Sequence, residues 1–186
     1  MNKYSFELGF FLASPDEDPE IHLGRLLEEE CDDSGVGIGR RGQIGLMFTR
    51  EAATASDAVL SAIAAVGRAI PDAMLADVGP DLVGLTDVAE LLGCSRQNVR
   101  QLLYNNEPDP PNPVYSGGTN VWHLADLLRW LREKKRYPVS DELVDLAEVN
   151  RQVNLFIESQ HIKPAVQDEI RALLAEDRPL REVSVR

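Results

Sequence analysis

Arg96, Gln97, Arg100 and Gln101 fall at positions i, i+1, i+4 and i+5 of the stretch LGCSRQNVRQLL (92–103). In a helix that spacing gathers two guanidinium and two carboxamide groups on one face, and leaves Val99, Leu102 and Leu103 for the other. Arginine can hold a guanine edge through two hydrogen bonds, and glutamine or asparagine can do the same for adenine. The chemistry on offer is therefore the reading of base edges in double-stranded DNA. Asn98 flanks the face, and Ser95 stands where a helix N-cap belongs, beside backbone N–H groups suited to a phosphate. The bland alternative is a solvated face, since Arg and Gln are good helix formers. The surrounding residues weigh against it.

Charge sharpens the question. The chain of 186 residues has 31 Asp and Glu against 19 Lys and Arg, a formal net charge of −12. Residues 1–83 carry a net of −9, residues 84–136 a net of +1, and residues 137–186 a net of −4. Only the middle segment escapes the acidic bias. Phosphate binding normally draws on a clear basic excess, so what matters is where the cations of that segment sit.

The elements that would position the face follow from periodicity. Thr86 is expected to cap a first helix over 85–92, with Val88, Ala89, Leu91 and Leu92 inward, and Gly93 to supply a left-handed helix end. A second helix then runs over 95–104. Residues 113–122 read as a hairpin turning at Ser116, Gly117, Gly118 and Thr119, groups that can touch phosphates without reading bases. Trp122 would anchor the hairpin under a third helix over 124–135, whose inward positions are Leu124, Leu127, Leu128 and Leu131.

The residues TDVAELLGCSRQNV (86–99), the following Pro-containing hairpin and WHLADLLRWL (122–131) together resemble the winged helix-turn-helix of the MerR, excisionase and AlpA-like group. The resemblance covers residues 85–131, about a quarter of the chain. It implies that Arg96, Gln97, Arg100 and Gln101 enter a major groove while the wing, Ser116 to Thr119, lies alongside; Ser95 and Asn98 complete the expected DNA-binding set. It also departs from its metal-sensing members, which carry effector cysteines near the C-terminus; this sequence has none there. The cations of REKKR (132–136) could meet the DNA backbone or simply end a helix. The acidic loop NNEPDPP (105–111) would have to stay off the duplex.

Upstream, Tyr4, Phe6, Leu8 and Phe10 alternate with polar or small residues, the mark of a half-buried strand. Asp18 and Pro19 open a helix bearing Leu23, Leu26, Leu27 and Cys31 that stops near CDDSG (31–35). Val36 and Ile38, then Ile44, Leu46 and Phe48, suggest a β-hairpin. A helix over 56–70 presents Val59, Ile63, Val66 and Ile70, and residues 73–78 make a closing strand. Strand, helix, strand, strand, helix, strand is the split βαβ, ferredoxin-like order. GPDLVG (79–84) reads as the boundary.

The expected class is thus α+β: a ferredoxin-like βαββαβ domain (1–80), a winged helix-turn-helix (84–136), a helical hairpin for dimerisation (139–176) and a frayed tail (177–186). In the last helices, Leu143, Leu146, Val149, Val153, Phe156 and Ile157 form one stripe, and Val166, Ile170, Leu173 and Leu174 form another. These stripes need a cover, either the rest of the chain or a second copy; a homodimer is the preferred expectation, since two-fold proteins read two half-sites.

Other signals are weaker. Gly37 to Gly42 matches a G-x-G-x-x-G fingerprint, but a strand follows where a helix N-terminus is required. His22, His123 and His161 fit no zinc pattern, and Cys31 and Cys94 fit no ligand spacing, so no metal or cofactor is expected. No nucleophile, base and orienting acid stand at recognisable spacing, so no enzyme is expected. The start MNKYSFELGFF lacks a signal-peptide pattern and no long apolar run occurs, giving a cytoplasmic expectation with no membrane. Residues 1–80 are left to sense a small-molecule effector or bind a protein partner. The competing reading is an adaptor or structural protein of a phage-related or defence assembly, using the winged fold for protein contact or DNA packaging.

Overall fold

The computed structural model describes residues 1–37, 40–104, 109–135 and 137–177. It is a mixed α+β structure with two antiparallel sheets. The expected tail beyond 177, together with Ile38, Gly39, Arg136 and most of NNEPDPP, lies outside the described residues.

Strand β1 (Asn2–Phe11) buries Tyr4, Phe6, Leu8 and Phe10 and turns the intervening residues outward. Helix α1 (Leu23–Glu28) follows a 3-10 turn at Pro19–His22 that Asp18 caps through the Glu20 N–H at 3.0 Å. It ends three residues short of the expected stop. Within so short a helix only one face can pack, so Leu26 is buried while Leu27 is exposed. Strands β2 (Ser34–Gly37) and β3 (Gln43–Ala52) form the hairpin, so the G-x-G-x-x-G segment does lead into a strand. Helix α2 (Ala55–Ala69), capped by Thr54, and strand β4 (Met74–Gly79) complete the unit.

The sheet order is β2-β3-β1-β4, antiparallel at every step. In the β1–β3 register Phe6 faces Phe48, Leu8 faces Leu46 and Phe10 faces Ile44, and the two Phe rings stack at 5.5 Å. Helix α2 buries Val59, Val66 and the alanines Ala58, Ala62, Ala65 and Ala69 against this core. Ile63, expected on the inward stripe, is only partly buried, because the small alanines let the helix sit close and carry the contact themselves. Arg50 binds both oxygens of Asp33 (2.7 and 2.8 Å) and the carbonyl of Glu30, and lies over the Phe48 ring, tying the end of α1 to β3.

A second core starts directly after β4. Residues read as a plain boundary include a strand, β5 (Leu82–Val83), which pairs with β7 (Asn120–His123); β7 also pairs with β6 (Tyr115–Ser116). Helices α3 (Leu85–Leu91), α4 (Arg96–Tyr104) and α5 (Leu124–Glu133) surround Trp122. Helix α3 begins at Gly84, whose N–H donates to Asp87 at 2.7 Å, so the cap falls two residues before Thr86. The short β5 strand releases the chain there, with Gly84 in extended conformation.

Helix α6 (Asp141–Ser159) does not stand apart as expected. Leu146, Val149 and Val153 pack into the first core, beside α2 and against β4, while Val144, Ala147 and Leu143 pack into the second. The stripe assigned to a partner is therefore used mostly within the chain, because α6 is apolar on two sides. Its Asn154 takes the N–H of Val78 and donates to the Val78 carbonyl, both at 2.8 Å, which closes the outer edge of β4 as a neighbouring strand would. The same amide donates to buried Asp81 at 2.9 Å, and Asp81 in turn holds His123 at 2.8 Å. Phe156 and the apolar residues of α7 (Pro164–Asp177) that are described lack such packing: Val166, Ile170, Leu173 and Leu174 are exposed. Among the described residues no helix is long and apolar enough to cross a membrane.

Burial raises the Cys31 thiol above its ordinary value, with Arg50 acting in the opposite sense and Asp33 adding to the rise. The reactive form is the thiolate, so Cys31 is held inert. At pH 8 a thiol reagent should modify Cys31 only as fast as the chain unfolds; rapid labelling with the fold retained would contradict this. Asn154→Ala leaves both backbone groups of Val78 without their partner and should cost about 2–3 kcal/mol in urea unfolding. A loss below measurement error would show that the β4 edge is satisfied by water.

Candidate nucleic-acid interface

Helix α4 is positioned by its apolar side. Val99 and Leu103 are buried in the second core with Trp122, Leu124 and Leu128. Gly93 adopts φ 63°, the left-handed conformation that turns the chain sharply out of α3. Ser95 then caps α4, its Oγ accepting the Asn98 N–H at 3.2 Å. These three features dictate which side of α4 faces out.

That outer side carries Arg96, Gln97, Asn98, Arg100 and Gln101, all exposed. Arg96, Gln97, Arg100 and Gln101 line one open cleft of about 600 Å³ together with Leu85 at the start of α3. Among the described residues neither Arg96 nor Arg100 has an ion-pair or hydrogen-bond partner. Several other arginines of the chain are engaged. Arg50 holds Asp33, Arg68 holds Glu29, Arg151 holds Asp126, and Arg129 bridges Asp126 and Glu148. No acid lies within α4, and Asp87, the acid nearest the start of α3, is committed to the Gly84 N–H.

The hairpin turn, Ser116, Gly117, Gly118 and Thr119, is exposed but does not line the cleft. It is held in place from both sides. Asn120 donates its side-chain N–H to the Tyr104 hydroxyl at 2.9 Å, fixing the base of the hairpin to the last turn of α4. Trp122 donates its indole N–H to the Pro111 carbonyl at 3.0 Å from a fully buried ring. At Gly117 a β-carbon would come within 2.5 Å of the Tyr115 hydroxyl, so glycine there lets the phenol lie across the turn. Tyr104 and Tyr115 thus belong to this surface, although side-chain spacing gave no sign of either; a pattern of exposed aromatics flanking the turn was the signal available.

The basic run after α5 is less available than its composition suggests. Arg132 is paired with Asp141, and Lys135 sits over the Trp130 ring at 5.0 Å; Arg136 is outside the described residues. The pairing exists because the Pro138 turn brings the acidic start of α6 back to the end of α5. Among the described residues no group of His, Cys, Asp and Glu could hold a metal ion.

In comparison with known proteins, the chain matches no family model, no curated protein and no solved structure.

Two stability outcomes follow from the charge arrangement. Arg96→Ala and Arg100→Ala should each leave unfolding free energy within about 0.5 kcal/mol of the parent, as substitutions on a surface without partners do. Arg50→Ala, which strips Asp33 of its bidentate partner, should cost roughly 2–3 kcal/mol. Equal losses at all three sites in denaturant titration would mean that the α4 guanidinium groups are structurally engaged.

Proposed function

We propose that this protein binds double-stranded DNA sequence-specifically as a cytoplasmic homodimeric transcriptional regulator, reading the major groove with α4 and lying on the backbone with the β6–β7 turn. Residues 84–136 are taken as a winged helix-turn-helix: two helices joined by a glycine turn, a hairpin wing and a closing helix. Residues 1–80 are taken as a ferredoxin-like unit; the β2-β3-β1-β4 order with helices on one face supports that reading. The observation that carries the proposal is the unpaired Arg96 and Arg100 beside Gln97 and Gln101, on an exposed face of a chain with net charge −12. The acidity elsewhere repels phosphate and so limits DNA contact to that face.

Dimerisation is assigned to the part of the C-terminal helices that the chain leaves uncovered: Leu155, Phe156, Ile162, Val166, Ile170 and Leu173. A second copy would cover this surface and present two α4 helices to two half-sites. One observation favours the adaptor reading instead, the near-neutral charge of residues 84–136. Salt separates the two. DNA binding that weakens steeply as salt rises supports the regulator, and no binding to duplex even at low salt supports the adaptor.

The test is the double substitution Arg96→Ala with Arg100→Ala, assayed by gel shift on a duplex selected by the parent protein. Each lost guanine contact is worth about 1–3 kcal/mol, so specific affinity should fall by about tenfold at the least, with melting unchanged. Unaltered affinity in a folded double variant would refute the proposal.

A further inference from the structure

The open face of the first sheet carries a feature that DNA reading does not use. Gly37 on β2, Gly45 on β3 and Gly9 on β1 are direct cross-strand partners, and Gly9 pairs in turn with Asp77 on β4. The row crosses the sheet from one edge to the other. Above it is a cavity of about 410 Å³ whose lining includes Phe11, Gln43, Arg40 and Asp77. Where β4 meets this row the register shifts between Gly9 and Phe10, leaving Ala76 as an extra residue. Such bulges re-aim neighbouring side chains and are frequent beside binding sites.

Glycine inside a strand costs conformational entropy and packs nothing, so it marks a place where something else comes close to the backbone. At Gly9 the close group is internal: a β-carbon would lie 2.4 Å from the Asp77 carboxylate, which therefore folds down over β1. At Gly37 and Gly45 there is no internal cause. A β-carbon there would meet only a backbone carbonyl, at 3.6 and 3.8 Å, an ordinary contact, and neither residue has positive φ. The fold would accept side chains at both positions, and only the trough would be lost.

The two ends of the trough are opposite in charge. Among the described residues neither the Asp77 carboxylate nor the Arg40 guanidinium has a partner. With the carboxylate already lying over β1, the β2 edge of the sheet is two strand spacings away, roughly 10 Å, and Arg40 lines the same cavity from three residues beyond the end of β2. A ligand with a single charge would leave one end unpaired. We propose that this trough binds a small zwitterion of amino-acid or dipeptide size, its ammonium on Asp77, its carboxylate on Arg40, and an unbranched or planar body lying on the glycine floor against Phe11. The proposal does not rest on DNA binding and deepens the assignment of residues 1–80 as a sensing unit.

Isothermal titration calorimetry of the full chain without DNA, against the free amino acids and glycyl dipeptides, tests it. At least one zwitterion should bind with one-to-one stoichiometry. Asp77→Asn and Arg40→Gln should each weaken that ligand by about tenfold or more, the scale of a lost charge-assisted contact. Gly45→Ala should abolish binding while melting is unchanged or raised; Gly37→Ala is the second variant should the first fail to fold. Absence of binding across the panel would overturn the proposal, as would binding that survives Gly45→Ala and Asp77→Asn unchanged. Neither result would bear on the DNA assay, which is read without the ligand.

Discussion

Excess carboxylate is the constraint under which this chain folds. With 31 acidic residues against 19 Lys and Arg, many guanidinium groups find an acid nearby. The pairings seen at Arg50, Arg68, Arg129, Arg132 and Arg151 are what that ratio leads one to expect. At Arg96 and Arg100 local chemistry keeps neighbouring carboxylates away. Helix α4 contains no acid, its start is capped by a serine rather than an aspartate, and Asp87 is occupied by the backbone of Gly84. An exposed surface ion pair would add little stability, so the unpaired arrangement costs the fold little and leaves both guanidinium groups ready for another anion.

That arrangement depends on a continuous mechanical frame. Val99 and Leu103 seat α4 on the core around Trp122. Helix α5, which closes that core, is bound to α6 through Arg129–Glu148 and Arg151–Asp126. Helix α6 is shared with the first core, and Asn154 and Asp81 connect β4 to the start of α5 at His123. Both sets of contacts run through groups that are buried or half-buried, where losing a partner is expensive. The zwitterion trough shares Ala76 and Asp77 with the strand whose next residue, Val78, is held by Asn154, so the proposed ligand would sit one residue from this frame.

Much of the frame was legible in the sequence, for reasons that differ by element. The alternation from Tyr4 to Phe10 and the caps at Asp18 and Ser95 are local signals, and they hold. The α4 face was legible because an exposed surface is set by residue type and spacing alone. What escaped is long-range or subtle. Alanines share the packing on α2 with Val59 and Val66, where only valine and isoleucine stand out to the eye. Strand β5 is two residues long and exists only because β7 pairs with it. The two apolar sides of α6 merge into one stripe on paper, since a partner on each side cannot be inferred from spacing. The capture of Arg132 by Asp141 and the glycine row across β2, β3 and β1 depend on how distant segments align, which no local pattern carries.

Helix α4 is proposed to read base sequence. Selecting bound fragments from a random duplex library with the intact protein measures this without assuming any target. The expected result is enrichment of a defined motif in two inverted half-sites, about one helical turn apart or a multiple of it. A bound pool as random as the input would contradict it.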